Sequence, residues 1–319
     1  MTTTTKKAMI QEFTENEKRT IGRLVIQMYE SSGMASEKKF ATSIGFTGSD
    51  MTNLRKENWI KNPSLIGAMK WLRLAQKAKF TRDSDVTVEI VPTETLKKIQ
   101  ERLFVCQQTS SCDLLCDSAG IGKTTACEDY LRQHPNVMYI NCSSAGKLNR
   151  FKRAFARAVG VPVTGKIDDY FETAILAIKM MHRPLLILDE GGDLEAPALL
   201  ALKQIYNETE DLLGIFMLGA GGLKKRLEGG RNNDKQGYDE IFSRLGKEFR
   251  RITPDPGLAG QDAFEAYMRS EMTTILQGNG FSQHEIQLIT ANMKKRDLRA
   301  IKRSIKLKNF KSNNQTIQP

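Results

Sequence analysis

The stretch Leu114-Leu115-Cys116-Asp117-Ser118-Ala119-Gly120-Ile121-Gly122-Lys123-Thr124-Thr125 constrains this chain more than any other. It reads as a short apolar strand, a tight loop and the first turn of a helix, which is the pattern of a P-loop. In such a loop the amides of Gly120, Ile121, Gly122 and Lys123 point at a β-phosphate. The Lys123 ammonium bridges β- and γ-oxygens and the Thr124 hydroxyl holds Mg²⁺. Ser118, Ala119, Gly120, Ile121, Gly122, Lys123, Thr124 and Thr125 are therefore the expected phosphate-binding set. One position departs from G-x-x-x-x-G-K-[ST]: the first residue is Asp117 and not glycine. A carboxylate there would weaken nucleotide affinity unless its side chain turned outward. Gly-Lys-Thr also occurs on ordinary surface loops, so the loop alone leaves both readings open.

The second constraint lies 66 positions after Lys123, in Arg183-Pro184-Leu185-Leu186-Ile187-Leu188-Asp189-Glu190. This apolar run is too short for a buried helix and ends abruptly in two acids, as a fully buried parallel strand does. Carboxylates at the C-terminal edge of an open α/β sheet stand where nucleotides bind. Asp189 is expected to orient the Mg²⁺ shell and Glu190 to polarise an attacking water.

A chain of 319 residues can form one sizeable core and a small extra domain. Its longest apolar stretches, around Leu185–Leu188 and Ile215–Ala220, fall short of the roughly 20 residues of a membrane helix. Met1 to Ile10 has no apolar leader segment, so the expected location is the cytoplasm, with no membrane partner. Five cysteines without C-x-x-C spacing and three histidines argue against a disulfide framework and against a zinc site. The net charge is +11, with 14 Lys+Arg against 7 Asp+Glu in residues 1–80 and 9 against 1 in residues 291–319. Base gathered at the two ends points to a polyanion, nucleic acid first, although a basic surface also serves solubility.

Near the N-terminus, Thr14-Glu15-Asn16-Glu17 is a capping box, and Ile21, Leu24, Val25, Met28 and Tyr29 repeat at helical spacing. A helix ending near Gly33 is expected. Lys39 through Trp59 matches a helix-turn-helix pattern, with Ala41 as the small residue, Ile44 inside, Gly45 at the turn, and Met51 and Leu54 buried. Thr47 with Asp50 would cap the second helix, leaving Ser49, Thr52, Asn53, Arg55 and Lys56 for a DNA groove. A small helical bundle used for protein contact fits the same residues. Ile66, Met69, Leu72 and Ala75 close this region with a further helix.

Thr81 to Pro92 reads as a linker, and a helix from about Glu94 to Val105 follows, with Val91 and Pro92 as a candidate wall for a base. Nothing there selects adenine over guanine. Val137–Asn141 is expected as a strand, then a helix over about 147–159. Its apolar stripe is Leu148, Phe151, Phe155 and Val159, while Lys147, Arg150, Lys152, Arg153 and Arg157 crowd the rest with no acid among them. That bias exceeds what a solvated face needs and suits phosphate-backbone contact. A helix over about 196–206, a strand at Gly214–Ala220 and a short basic helix at Leu223–Leu227 come next. A mobile loop at Gly229–Gly237 and a last strand near Phe249–Ile252 follow. From about Gly260 the pattern is helical, with Phe264, Tyr267, Met268 and Met272 as core candidates, and the polar tail from Asn309 is expected to be disordered.

Strands alternating with helices and then a helical lid resemble the AAA+ ATPases over roughly residues 92–306. Within that superfamily the chain resembles DNA-transposition helper ATPases, the phage Mu B protein-like family. The resemblance implies an α/β P-loop core with a parallel sheet at 93–255 and a helical lid at 256–307. It further implies an all-α helix-turn-helix domain at 1–80, joined by a linker at 81–92, with a tail at 308–319. It also implies ATP with Mg²⁺ as cofactors, an arginine finger at Arg244 that reaches a neighbouring subunit, and a sensor-2 arginine at Arg299. The implied activity is ATP hydrolysis by a homo-oligomer, ring or helical filament, on double-stranded DNA that it delivers to a transposase. Hydrolysis is expected to be slow, because the strand where a polar sensor-1 residue belongs ends in Gly219-Ala220-Gly221-Gly222. A replication-initiation or helicase-loading ATPase shares this core, and an ATP-gated helix-turn-helix regulator remains a further alternative.

Overall fold

A computed structural model describes residues 13–32, 34–78, 80, 88–235, 237–257, 260–292 and 297–315. The expected leader before Phe13, the helix end at Gly33 and most of the linker at 81–92 lie outside these residues. The chain divides into two compact units, Met1–Val86 and Thr87–Pro319.

Among the described residues the regular structure of the first unit is helical: α1 (Glu15–Ser31), α2 (Glu37–Ser43), α3 (Gly48–Arg55), α4 (Asn58–Lys61) and α5 (Ala68–Lys77). Reciprocal Thr14–Glu17 bonds cap α1, and a Thr47–Asp50 pair does the same for α3. Between α2 and α3 the chain reverses at Gly45, whose φ of +83° is a conformation that favours glycine. Ile21, Val25, Phe40, Met51, Leu54, Trp59, Trp71 and Leu74 form the core, with the two indoles edge to face at 5.0 Å. The helix α5 is turned so that Trp71 meets Trp59. Its buried residues are therefore Trp71, Leu74 and Ala75, while Met69, expected inside, is exposed.

The second unit begins with α6 (Glu94–Thr109), which runs one turn past its expected end. Then follow β1 (Cys112–Cys116), α7 (Lys123–Gln133), β2 (Val137–Asn141), α8 (Cys142–Ala145), α9 (Leu148–Val159) and α10 (Ile167–Lys179). The rest comprises β3 (Leu185–Asp189), α11 (Ala196–Glu208), β4 (Gly214–Gly219), α12 (Gly221–Asn232), α13 (Tyr238–Arg244), α14 (Gln261–Gly278), α15 (Gln283–Asn292) and α16 (Leu298–Gln315). The four strands are all parallel in the order β1-β4-β3-β2.

Both faces of the sheet are covered, which is why its strands read as unbroken apolar runs. Leu114, Leu186, Leu188, Ile215 and Met217 pack with α9, α10 and α11 on one side. The alternate residues Leu115, Leu185, Ile187, Phe216 and Leu218 pack with α6 and α7 on the other. At Gly214 a Cβ would stand 2.3 Å from the Cys106 carbonyl oxygen, so glycine there lets α6 lie against β4. A separate cluster of Met272, Leu276, Phe281, Ile286, Ile301 and Ile305 holds α14, α15 and α16 together.

Several expectations change. The last strand near Phe249–Ile252 is reduced to a parallel bridge between Leu115 and Arg250 at the free edge of β1. The loop expected from Gly229 is helical as far as Asn232, and within that stretch Gly230 lies against the Tyr238 ring. Helix α10, which the sequence reading does not anticipate, covers the gap before β3 and packs Phe171 against Phe155. The tail from Asn309 continues α16 to Gln315, its helix anchored upstream by buried Ile301 and Ile305.

Within the first unit, the buried Asp50 carboxylate bonds Thr47 and pairs with Lys70 at 2.7 Å. Burial alone would raise its pKa, but the Lys70 and Thr47 hydrogen bonds outweigh it and hold the carboxyl below its ordinary value. A depressed native pKa adds stability that is present above the unfolded value, near 3.8, and is lost as pH falls through the native one. Both tryptophans of the chain lie in this unit, so their fluorescence reports its unfolding. Asp50→Asn should lower its urea midpoint at neutral pH and remove part of the loss of stability on acidification below pH ~4. An unchanged midpoint with an unchanged acid profile would refute the role of this pair.

Candidate nucleotide-binding site

The carboxyl ends of the parallel strands place the loop and the acids together. β1 delivers Asp117 and the loop, while β3, two strands away across β4, delivers Asp189 and Glu190. Gly120 and Gly122 sit at φ +78° and +95°, backbone states that let the loop turn tightly into α7. The Lys123 ammonium, buried in the loop, donates to the carbonyls of Asp117 at 2.9 Å and Ser118 at 2.7 Å. Burial pulls its pKa down, and the charges of Asp117, Glu190 and Asp189 oppose that pull.

Thr124 Oγ1 donates to Asp189 Oδ2 at 2.6 Å, and the Tyr139 hydroxyl donates to the same oxygen at 2.8 Å. The Glu190 N–H donates to the other carboxylate oxygen at 2.9 Å. Burial and the Asp189 charge push the Tyr139 phenol upward, so it stays a proton donor. Glu190 itself adopts a left-handed backbone, φ +52°, which turns the chain sharply after β3. A hydroxyl and a carboxylate on adjoining elements are hard oxygen donors that suit Mg²⁺.

A cleft of about 410 Å³ opens over this arrangement, lined by Ala119, Gly120, Gly122, Lys123, Thr124, Thr125, Glu128, Glu190, Leu298, Arg299 and Lys302. Arg299 and Lys302 stand one turn apart on α16. The Leu298 N–H donates to the Gly120 carbonyl at 3.0 Å, which seats the start of that helix on the loop. Glu128 follows Thr124 by four residues and shares its face of α7, a spacing legible in the sequence. Tyr139 carried no such signal, since only the pairing of β2 with β3 brings it beside Asp189.

The Asp117 side chain turns away from the cleft and is fully buried. Its Oδ1 accepts from Ser118 N–H at 2.7 Å and Thr253 Oγ1 at 2.6 Å, and Oδ2 accepts from the N–H groups of Ile252 at 2.7 Å and Thr253 at 2.9 Å. Arg251 pairs with it at 3.1 Å. Val91, a candidate base wall, instead packs against Gly278 at the end of α14.

Other expected site residues lie elsewhere. Arg244 ends α13, its guanidinium 5.1 Å from the Tyr206 ring centre and one nitrogen buried without a hydrogen-bond partner. Lys147 at the N-cap of α9 and Arg150, Arg153 and Arg157 on it are exposed. Lys152 is turned inward from them, bonding Asp168 at 2.6 Å and lying over the Phe171 ring. In the first unit Lys56 is exposed, Arg55 pairs with Glu37 at 3.2 Å, and Asn53 accepts from Asn58 at 3.2 Å.

A family model described as an AAA domain matches residues 107–227. The DNA-bound ORC1 protein of Aeropyrum pernix superposes with a TM-score of 0.53 at 18% identity, covering 73% of this chain and 63% of that one. The fold and loop thus define an AAA+ P-loop protein. Mu-like prophage FluMu DNA transposition protein B of Haemophilus influenzae is 22% identical over 223 residues, 70% of this chain and 77% of the relative. The ATP-dependent target DNA activator B of Escherichia phage Mu is 25% identical over 158 residues, and the match spans about half (49%) of each protein. Within the AAA+ class the chain is similar to these Mu B-like proteins.

Removal of the Tyr139 hydroxyl takes one donor from a buried carboxylate, a bond worth about 1.5–3 kcal/mol. Tyr139→Phe should therefore lower the thermal midpoint of the second unit, followed by circular dichroism. A midpoint equal to wild type would show that the bond carries no weight.

Proposed function

We propose that this chain is an ATP-dependent, largely sequence-nonspecific DNA-binding ATPase. It assembles on target DNA and delivers that DNA to a transposase or activates it. The observation that carries the reading is the Thr124–Asp189 pair beneath the loop with Glu190 lining the same cleft, in a chain similar to a protein named ATP-dependent target DNA activator B.

Loop amides from Gly120 to Lys123 hold the phosphates of ATP, and the Lys123 ammonium leaves the loop carbonyls to meet them. Thr124 and Asp189 would hold Mg²⁺, which when bound neutralises charge on the phosphate oxygens. Glu190 polarises the attacking water, and Arg299 on α16 completes the cleft from the lid. Arg244, stacked on Tyr206 in the single chain, is poised for a neighbouring copy's nucleotide. An arginine supplied in trans is worth about 10³–10⁵ in turnover, so hydrolysis follows assembly.

Duplex DNA is contacted through Lys147, Arg150, Arg153 and Arg157, whose spacing along α9 presents one exposed cationic face. Phosphate contact carries no base information, so binding is weakly sequence-specific and falls steeply with salt. The exposed residues of α3 are a secondary candidate surface.

Lys123→Ala should abolish ATP-dependent binding to duplex DNA in gel-shift titrations, and Glu190→Gln should keep that binding while turnover collapses. DNA binding by Lys123→Ala at wild-type strength with ATP would defeat the mechanism. Reversing Arg150 and Arg153 to Glu should weaken binding to unrelated duplexes alike and lower the slope of log affinity against log salt by about 2. An undiminished slope would remove α9 from the interface.

A further inference from the structure

The first position of the loop, Asp117, holds more partners than any other carboxylate in the second unit that lies beside the cleft. Two backbone N–H groups, Ile252 and Thr253, meet one oxygen, while the Thr253 hydroxyl and the Ser118 N–H meet the other. Arg251 adds its charge at 3.1 Å, with its Nε buried and without another partner. Its Nη2 also lies 3.4 Å from Ser118 Oγ, at the loop's second position. A glycine at this position could form none of these bonds.

The segment so held is the one that leads out of the sheet toward the lid. The lid is also seated on the core elsewhere. Buried Glu271 on α14 accepts from the N–H groups of Glu94 at 2.9 Å and Thr95 at 3.2 Å, at the open end of α6. Within the lid, the Leu298 N–H that begins its last helix, α16, donates to Gly120. One short loop therefore grips both the lead-in to the lid, through the Asp117 carboxylate before α14, and the lid itself, through the Gly120 carbonyl at the start of α16.

We propose that Asp117 is a positioning residue that joins the phosphate loop to the lid's lead-in segment, so that a nucleotide seated in the loop also sets the lid that carries Arg299 and Lys302. The proposal rests on the reading of this cleft as a nucleotide site. It explains why a carboxylate is tolerated at a position next to phosphates: every lone pair it offers is spent on the far side. With the bonds intact, ordering of the loop by phosphate is transmitted to residues 251–253 without a hinge. With them gone, the loop amides remain but the lid is free to sit elsewhere.

The test uses the full chain and ATP with Mg²⁺. Asp117→Asn keeps the shape but loses the charge facing Arg251 and turns an NH₂ toward donors. The control is Lys179→Gln, which breaks the 3.7 Å ion pair with Glu208 between α10 and α11, neither of which lines the cleft. Amide hydrogen exchange at Ile252 and Thr253 should rise at least about tenfold in Asp117→Asn, and its Kd for a fluorescent ATP analogue should rise by about tenfold or more. Lys179→Gln should change neither. Thr253→Val, which deletes a single donor and keeps the fold, should move both readouts in the same direction by less.

Faster exchange with an unchanged Kd would make the network merely structural and overturn the positioning role. Unchanged exchange would overturn the network itself. Should Asp117→Asn not fold, Thr253→Val decides by the same two readouts. A wild-type protein that binds no ATP analogue would defeat the nucleotide reading first, and is told apart because it fails before any variant is compared.

Discussion

The hydrogen bond from Thr124 to Asp189 is the interaction on which the rest depends. It joins the residue after the loop lysine to the last residue of β3, and it forms only if two strands that are not neighbours end at the same level. The register sees to this, because Cys116 pairs with Gly219 on β4 while Leu188 pairs with Met217. Parallel pairing brings the ends into line, and the apolar layers on both sheet faces prevent slippage. A shift of one residue would exchange Leu186 and Leu188 for Leu185 and Ile187 across the sheet, exposing each layer to the wrong helices.

Around that bond the site is built from opposed charges. Lys123 is buried, and the charges of Asp117, Glu190 and Asp189 oppose the downward pull of burial on its pKa. Such a group is poised to exchange loop carbonyls for phosphate oxygens, since the carbonyls are weaker partners for an ammonium than an anion is. Arg299 and Lys302 reach the cleft from α16, so the lid adds cations where the core supplies both signs. A polyanion in the cleft would therefore meet cations from lid and core alike.

Much of the core was legible from residues alone. The strands at Val137–Asn141 and Leu185–Asp189 and the basic helix after Lys147 announce themselves through length and periodicity. The α/β P-loop core and the resemblance to Mu B-like AAA+ proteins agree with the fold and the relatives. What failed did so for physical reasons. The exception is α10, whose Tyr170, Phe171, Ala174, Ile175 and Ile178 recur at helical spacing and form its buried face, a signal that was legible in the sequence. Met69 looked buried by spacing, but the bulk of Trp71 decides which face of α5 turns inward. Lys152 belongs by composition to the basic face and by geometry to Asp168.

By itself the sequence determined the chemistry available: a glycine-bearing loop with Lys123 and Thr124, two acids at a strand end, and cations gathered on one helix. These follow from residue type and spacing over a few turns, where chain geometry is nearly rigid. Only the tertiary structure decided that Tyr139 holds Asp189, that Asp117 faces Arg251 and Thr253 and not a phosphate, and that α16 begins on the loop. Those contacts join residues from 50 to more than 130 positions apart, and they depend on strand order and register, which local spacing does not encode.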